Sequence, residues 1–412
     1  MGFAGSQPFA MLLCQFADMP SVEPHPKSYY QNLIENTGTR GLADYWAAAS
    51  LNHIDLKGSK VFDWTPINWT TKNYGSAHVS RWEKIQGVFD AFPGFNLKNY
   101  TGVISVFNGD PGDSGNAGNG VLCGPGDTTV TFLGHETGHV FGLAHSFDTS
   151  SRKDASWSAP GEYYDMHDIM SAMNVYGDGG SPFGEAGPLL AAPNLDRMGW
   201  LDPSRVWTPP LSGGSSQDEL DLVSLGHAEV SGYIAAKIGN LYIEFRTKDG
   251  WDKAIPYPAV LIHSLREPNA VVLPSDPVNY VNDWQPGQIY EPMTAREALL
   301  GGGTWIEVVS FNLQAHTARI KVRNQVRNPI IEGAAQIFGG IPFDGGGWII
   351  LPSGRIIRVP PRSPVLEALD KLVAAAETEG LSAEAKRSVE RSVFADTVDL
   401  LQQLIERENS GE

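Results

Sequence analysis

The sequence predicts a mixed α/β (α+β) domain over residues 1–204, an all-β sandwich over 205–325 and a C-terminal extension over 326–412 that carries a helical hairpin. Short apolar, β-branched runs alternate with helical periodicities in the first part, which is the mark of an α/β lobe. Brief alternating strands separated by turn residues fill the middle. Helical spacing returns after Ser363-Pro364, where serine caps and proline opens a first turn. A chain of 412 residues, 42% hydrophobic and 19% charged, is long and apolar enough to bury its core without staples.

In chain order, Ala10 to Phe16 is an apolar run ending at Asp18-Met19-Pro20, which suits a buried first strand. Tyr30, Leu33 and Ile34, then Leu42, Tyr45 and Trp46, fall at helical spacing and are interrupted by Gly38 and Gly41, so two helices are expected between Ser28 and Asn52. Trp82, Ile85, Val88 and Phe89 share one face of a helix expected over Val79 to Phe92. Thr101 to Phe107 has strand composition, Asn108 to Asn119 is a Gly-, Asp- and Ser-rich loop, and Gly120 to Cys123 reads as a short edge strand. Beyond Trp200-Leu201-Asp202-Pro203, strands are expected at Tyr233 to Ile238, Leu241 to Phe245, Ala259 to His263 and Thr304 to Val309. In the tail, Val365, Leu366, Leu369, Leu372 and Val373 line one helix, and Ser382 opens a second.

The formal net charge of −17 disfavours nucleic acid and anionic membrane as partners, since both require a basic surface. No run approaches the roughly 20 apolar residues of a membrane span. The first residues lack a basic and apolar secretory leader. Cys14 and Cys123 allow one disulfide at most, which does not fix a redox compartment.

The chemistry concentrates in His135-Glu136-Thr137-Gly138-His139-Val140-Phe141-Gly142-Leu143-Ala144-His145. Histidines 135 and 139 stand a helical turn apart on one face, a spacing that suits zinc bound through imidazole nitrogen at about 2.0–2.1 Å. Glu136, beside the first ligand, is placed to act as general base towards a zinc-activated water. A catalytic zinc needs a third protein ligand. On an unbroken helix, residue 145 would lie roughly 9 Å further along the axis than residue 139. Gly142 can turn left-handed, end the helix and bring His145 back. An amphipathic helix with incidental histidines is the plain alternative. Against it, three of the chain's 10 histidines fall in this one pattern.

With these residues the chain resembles the metzincin zinc peptidases. The resemblance implies a metzincin-type catalytic domain, zinc-dependent endopeptidase activity on protein or peptide substrates, one catalytic zinc on His135, His139 and His145, and a methionine turn beneath the metal. Asp168-Ile169-Met170-Ser171 fits that turn, with Met173 in reserve. Some metzincins place a tyrosine ligand two residues after the methionine; here Ala172 stands there, leaving Tyr164 or Tyr176 as candidate oxyanion partners. Gln15-Phe16-Ala17-Asp18, Asp44-Tyr45-Trp46 and Asn194 to Leu201 are similar to segments of secreted immune inhibitor A-like and gametolysin-like peptidases, as is Tyr242 to Arg246 with Gly250-Trp251-Asp252. Gly142-Leu143-Ala144-His145-Ser146 is closer to the gametolysin and matrixin form, because immune inhibitor A proteins carry an acidic residue in place of His145. A secreted, monomeric protein is expected from this likeness.

Weaker signals remain. Cys123-Gly124-Pro125-Gly126-Asp127 faintly resembles a matrixin cysteine switch, although a buried cysteine explains it as well. Asp110, Asp113 and Asp127 could bind calcium or merely line solvated loops. Asn68-Trp69-Thr70 and Asn99-Tyr100-Thr101 are sequons, common by chance. Two rival functions stay open: a zinc site in which Glu162 replaces His145, and a zinc-binding but non-proteolytic adhesion or carbohydrate-binding protein acting through its β-domain. Substrate held by strand addition along Gly120 to Leu122 completes the expectations.

Overall fold

A computed structural model describes residues 2–209, 216–291 and 304–324, together with the backbone of strands 347–350 and 356–359. The helical hairpin expected after Ser363 lies outside the described residues. The architecture is mixed α/β, with more strand than helix.

After a two-residue strand β1 (Gly5–Ser6), the first apolar run forms β2 (Phe9–Gln15). Helices α1 (Lys27–Ile34) and α2 (Leu42–Ala49) follow, then β3 (Ile54–Asp55), which pairs with β1, and β4 (Lys60–Pro66). Next come the short helices α3 (Thr71–Gly75) and α4 (Arg81–Gln86) and the strands β5 (Gly102–Phe107), β6 (Gly115–Ala117) and β7 (Gly120–Cys123). The motif occupies α5 (Val130–Val140). Five strands form one sheet in the order β4-β2-β5-β7-β6, parallel except for β6.

Both faces of this sheet are covered, which is why β2 reads as a continuous apolar run rather than an alternating one. Phe9, Met11 and Leu13 join a core with Tyr30, Trp46 and Leu133, whereas Ala10, Leu12 and Cys14 pack on the other side with Tyr74, Ile85 and Phe107. Cys14 and Cys123 are free, buried thiols. Burial pushes both thiols up in pKa, and Cys123 lies within the sheet with its sulfur 3.8 Å from Ser105 O, so neither a disulfide nor a cysteine switch is built here.

Two expectations are corrected. Gly120 to Cys123 is an inner strand, flanked by β5 and β6. The sheet edge on this side is β6, three residues drawn from the stretch expected to be loop. Its glycine-rich composition hid it, because strand propensity there is low and pairing alone holds it. The helix expected over Val79 to Phe92 is interrupted: α4 is closed at its start by a Ser80–Glu83 capping box, ends at Gly87, and gives way to a 3-10 turn at Phe89–Ala91.

A small hairpin, β8 (Asp178–Ser181) and β9 (Gly184–Ala186), precedes α6 (Ala192–Met198), which ends at a left-handed Gly199. The rest is strand. β10 (Val206–Trp207), β12 (Ala235–Ile238), β13 (Leu241–Arg246), β14 (Ala259–Arg266) and β15 (Asn269–Val272) make a second five-stranded sheet in that order. β11 (Ser216–Val223), β16 (Ile289–Tyr290), β17 (Thr304–Asn312) and β18 (Thr317–Asn324) contribute a four-stranded sheet, and β19 (Gly347–Ile350) pairs with β20 (Ile356–Val359).

The residues up to Pro209, Leu220–Gln288 and Val308–Ile320 belong to one compact unit; β16, β19 and β20 belong to a second. The boundary expected at 204 therefore falls inside the first unit. A shared core and a buried ionic network both cross that position. Arg246 of β13, fully inaccessible, lies 2.8 Å from Glu244 and 3.0 Å from Asp252 and donates to Leu190 O at 2.6 Å. Glu244 also accepts from Ala192 N, and Asp252 accepts from Leu189 N at 3.0 Å. Burial alone would depress the guanidinium's pKa, yet Asp252 and Glu244 carry it upward.

Candidate metal centre

The helix that carries the motif is set by its neighbours. Thr129 caps its first turn by accepting from Phe132 N. Trp46 of α2 donates its indole N–H to Thr137 Oγ1 at 2.8 Å, and Tyr45 reaches Pro188 O at 2.8 Å. These contacts fix the roll of α5, so that His135, Glu136 and His139 face a cleft of about 1150 Å³. Gly142 has φ +86°, the left-handed turn anticipated from its lack of a Cβ, and the chain doubles back to His145.

The three rings converge. His139 Nε2 lies 3.1 Å from His135 Nε2 and 3.1 Å from His145 Nε2. Their Nδ1 atoms settle which nitrogens carry protons. His135 Nδ1 is 3.0 Å from Ile169 O, His139 Nδ1 is 2.8 Å from Leu143 O, and His145 Nδ1 is 2.6 Å from Glu162 Oε1. These oxygens accept, which assigns the proton to each Nδ1 and the lone pair to each Nε2; the Ala172 N–H also approaches His135 Nδ1, at 3.4 Å, but Ile169 O is the nearer of that nitrogen's two partners. Three lone pairs at this separation repel one another unless a cation lies between them. Tetrahedral bonds of about 2.0–2.1 Å would place such nitrogens roughly 3.3–3.4 Å apart. Burial, with His139 close by, lowers the His135 pKa well below its ordinary value; burial also takes His139 down to about 4. Both are thus neutral at pH 7, as ligands must be.

Met170 is the buried methionine, in the turn Ile169–Ser171, whereas Met173 is 55% exposed. A Cβ on Gly138 would lie 2.7 Å from Met170 sulfur, so the glycine inside the motif makes room for the methionine beneath the rings. The turn also supplies the Ile169 carbonyl that orients His135. Asp168 caps it, accepting from Met170 N at 3.0 Å, Ser146 Oγ at 2.9 Å and Asn194 Nδ2 at 2.6 Å. Asn194, singled out only as part of the Asn194 to Leu201 segment, is therefore a positioning residue.

Glu136 is half-buried at the cleft wall. Its Oε2 accepts from Asn116 N at 2.6 Å, and the described residues give its other oxygen no hydrogen bond. Burial raises its pKa to about 7, against the Asn116 N–H and Arg81, which pull it down. Arg81 in turn grips Asp113 at 2.6 Å and Asn116 O at 2.8 Å. The outward-facing N–H and C=O of Asn116 on the edge strand are thus already engaged.

No protein-family model and no curated protein matches this chain. What can be said of the site rests on its own geometry.

Sequence reasoning missed two contributors, Tyr163 and β15, and weighed a third, Glu162, only as a rival to His145. Tyr163, not Tyr164 or Tyr176, reaches the rings: its hydroxyl lies 3.2 Å from His145 Nε2, and its backbone is held left-handed at φ 68°. Tyr164 instead lies under the Arg152 guanidinium, and Tyr176 packs on His167. Glu162 Oε1 lies 2.6 Å from the far nitrogen of His145, so it stands behind that ring and not among the three converging Nε2 atoms. The other missed contributor is β15: Asn269 donates to His145 O at 2.8 Å, and Phe147 N donates to Ala270 O at 2.9 Å. The residues Asp110, Asp113 and Asp127 do not meet: Asp110 accepts from Gly112 N, Asp113 pairs with Arg81, and Asp127 accepts from Ser114 Oγ and Gly124 N.

Proposed function

We propose that this chain is a zinc-dependent endopeptidase, with His135, His139 and His145 as zinc ligands and Glu136 as general base. The observation that carries the reading is the convergence of three Nε2 atoms, each ring held by an oxygen 2.6–3.0 Å from its Nδ1. Bound there, zinc would polarise a peptide carbonyl and lower the pKa of water towards ~7.

The chain's own residues do the rest. Glu136 is held by the Asn116 N–H so that its second oxygen can accept a proton from the attacking water and return it to the leaving amine. Tyr163 presents an O–H at the same point, where it can donate to the oxygen that gains negative charge. Burial raises its pKa above the ordinary tyrosine value, so the hydroxyl keeps its proton. Arg81, through Asp113 and Asn116, stiffens the wall that positions Glu136. A cleft of about 1150 Å³ exceeds the roughly 300–1,000 Å³ of small-ligand pockets and suits an extended peptide. No helix among the described residues is long and apolar enough to cross a membrane.

Casein cleavage is expected to cease on treatment with a zinc chelator and to return when Zn²⁺, but not Ca²⁺, is restored. Cleavage that survives chelation would remove the zinc mechanism. The ligand assignment has its own check in elemental analysis. His145→Ala should lose the zinc held by the motif, whereas Glu162→Ala should keep it with affinity weakened about 10–100-fold, as for other partners behind a ligating histidine. The reverse order would make Glu162 the ligand.

A further inference from the structure

Another convergence of imidazole and carboxylate lies within the first compact unit, on residues remote in sequence from α5. His227 ends the 3-10 turn Leu225–His227 after β11, Asp249 precedes the turn Gly250–Asp252 after β13, and His316 sits between β17 and β18. One ligand atom from each lies within 4.8 Å of the others. His227 Nε2 is 3.0 Å from Asp249 Oδ2, and His316 Nδ1 is 3.7 Å from the same oxygen. The two rings stack with centroids 3.5 Å apart and planes 23° from parallel.

The surroundings prepare these atoms for a cation. Glu229 Oε1 lies 2.9 Å from His227 Nδ1; a carboxylate there takes the N–H and leaves Nε2 with its lone pair. Thr247 Oγ1 donates to Asp249 Oδ1 at 3.0 Å, which turns Oδ2 towards the histidines. His316 Nδ1 is shut off from solvent and makes no hydrogen bond among the described residues. A protonated His227 between two carboxylates would account for Asp249 and Glu229 but would leave that nitrogen unsatisfied. Protonating both rings would put two cations face to face. A metal ion would serve all three atoms at once, with the two rings tilting out of their stack to aim their in-plane lone pairs at it.

We propose that His227, Asp249 and His316 bind a divalent transition-metal ion of the zinc type, separate from the motif centre, with Glu229 and Thr247 orienting the ligands. Two imidazoles and one carboxylate are a donor set that zinc favours. Bonds of about 2.0–2.2 Å in tetrahedral geometry need donors roughly 3.3–3.6 Å apart, and the observed 3.0 and 3.7 Å bracket that range. The ion ties together three turns, two of which are also joined by Ser224 N donating to His316 O at 2.8 Å, so binding stabilises the folded chain.

The test uses the full chain carrying His135→Ala and His139→Ala, which removes the motif centre from the count, and Zn²⁺ alone as the probe. After equilibration and gel filtration, elemental analysis is expected to find about one zinc per chain, and added Zn²⁺ should raise the melting temperature. Adding His227→Ala should abolish both effects, and Glu229→Gln should weaken zinc binding about 10–100-fold. If His227→Ala does not fold by circular dichroism, His316→Gln, at the solvent-facing turn, reads the same loss. A folded parent that retains no zinc, or zinc retained equally in the His227 or His316 variant, overturns the site.

Discussion

Glu136→Gln is expected to lower kcat for casein by roughly 10²–10⁴-fold while leaving zinc content at the level of the unaltered chain. Glutamine is nearly isosteric, and its carbonyl oxygen can still accept the Asn116 N–H that holds the side chain in place. What it lacks is a site for the proton released when water attacks. A thousandfold loss corresponds to about 4 kcal/mol of transition-state stabilisation, which a lost positioning contact alone would not explain. Two readouts separate the causes. Zinc content reports the histidines, and single-turnover rates report the base. Retention of the parental rate would show that another group moves the proton, whereas loss of zinc together with activity would show that the substitution disturbed α5. The same variant bears on the non-enzymatic alternative, because an adhesion protein with a dormant lobe would be indifferent to it.

The parts of the site that were legible in the sequence are those governed by local periodicity. His135 and His139 share a face because a helix repeats every 3.6 residues, and Gly142 could be assigned its turn because few other residues adopt φ near +86° cheaply. Met170 was separable from Met173 only through the family likeness, and its burial under Gly138 gives the physical basis. Contacts made at long range were not legible. Nothing local distinguishes Tyr163 from Tyr164; their neighbouring side chains point apart because Tyr163 is forced left-handed. β6 was hidden because three residues of Gly, Asn and Ala carry no strand signal, and only pairing with β7 defines them. Likewise the hold that β15 keeps on the His145 segment joins positions more than a hundred residues apart. The buried pair Asp165–His263, at 2.9 Å and 98 residues apart, likewise ties the stretch before the methionine turn to β14.

This dependence on the second sheet has a measurable consequence at Arg246. Arg246→Met is expected to destabilise the chain by about 3–5 kcal/mol, because it leaves Glu244 and Asp252 buried with no cation between them. That is a large share of the roughly 5–15 kcal/mol that holds a typical domain folded. Methionine replaces the aliphatic part of the arginine, so the lost volume is small and the cost is electrostatic. The lesion would spread to the metal centre by a short path. Arg246, Glu244 and Asp252 together hold the backbone of Leu190, Ala192 and Leu189, and Leu189 O accepts from Ile169 N at 3.3 Å, in the turn whose carbonyl orients His135. The urea midpoint should therefore fall, and zinc affinity should fall with it, whereas Glu136→Gln should leave both unchanged. Neutralising the two acids as well, with Glu244→Gln and Asp252→Asn, should recover part of the stability, since the larger penalty comes from unpaired charge rather than from the missing arginine. An Arg246→Met chain within about 1 kcal/mol of the parent would mean that water or a shifted side chain compensates the two carboxylates, and that the second sheet is not locked to the metal centre through this residue.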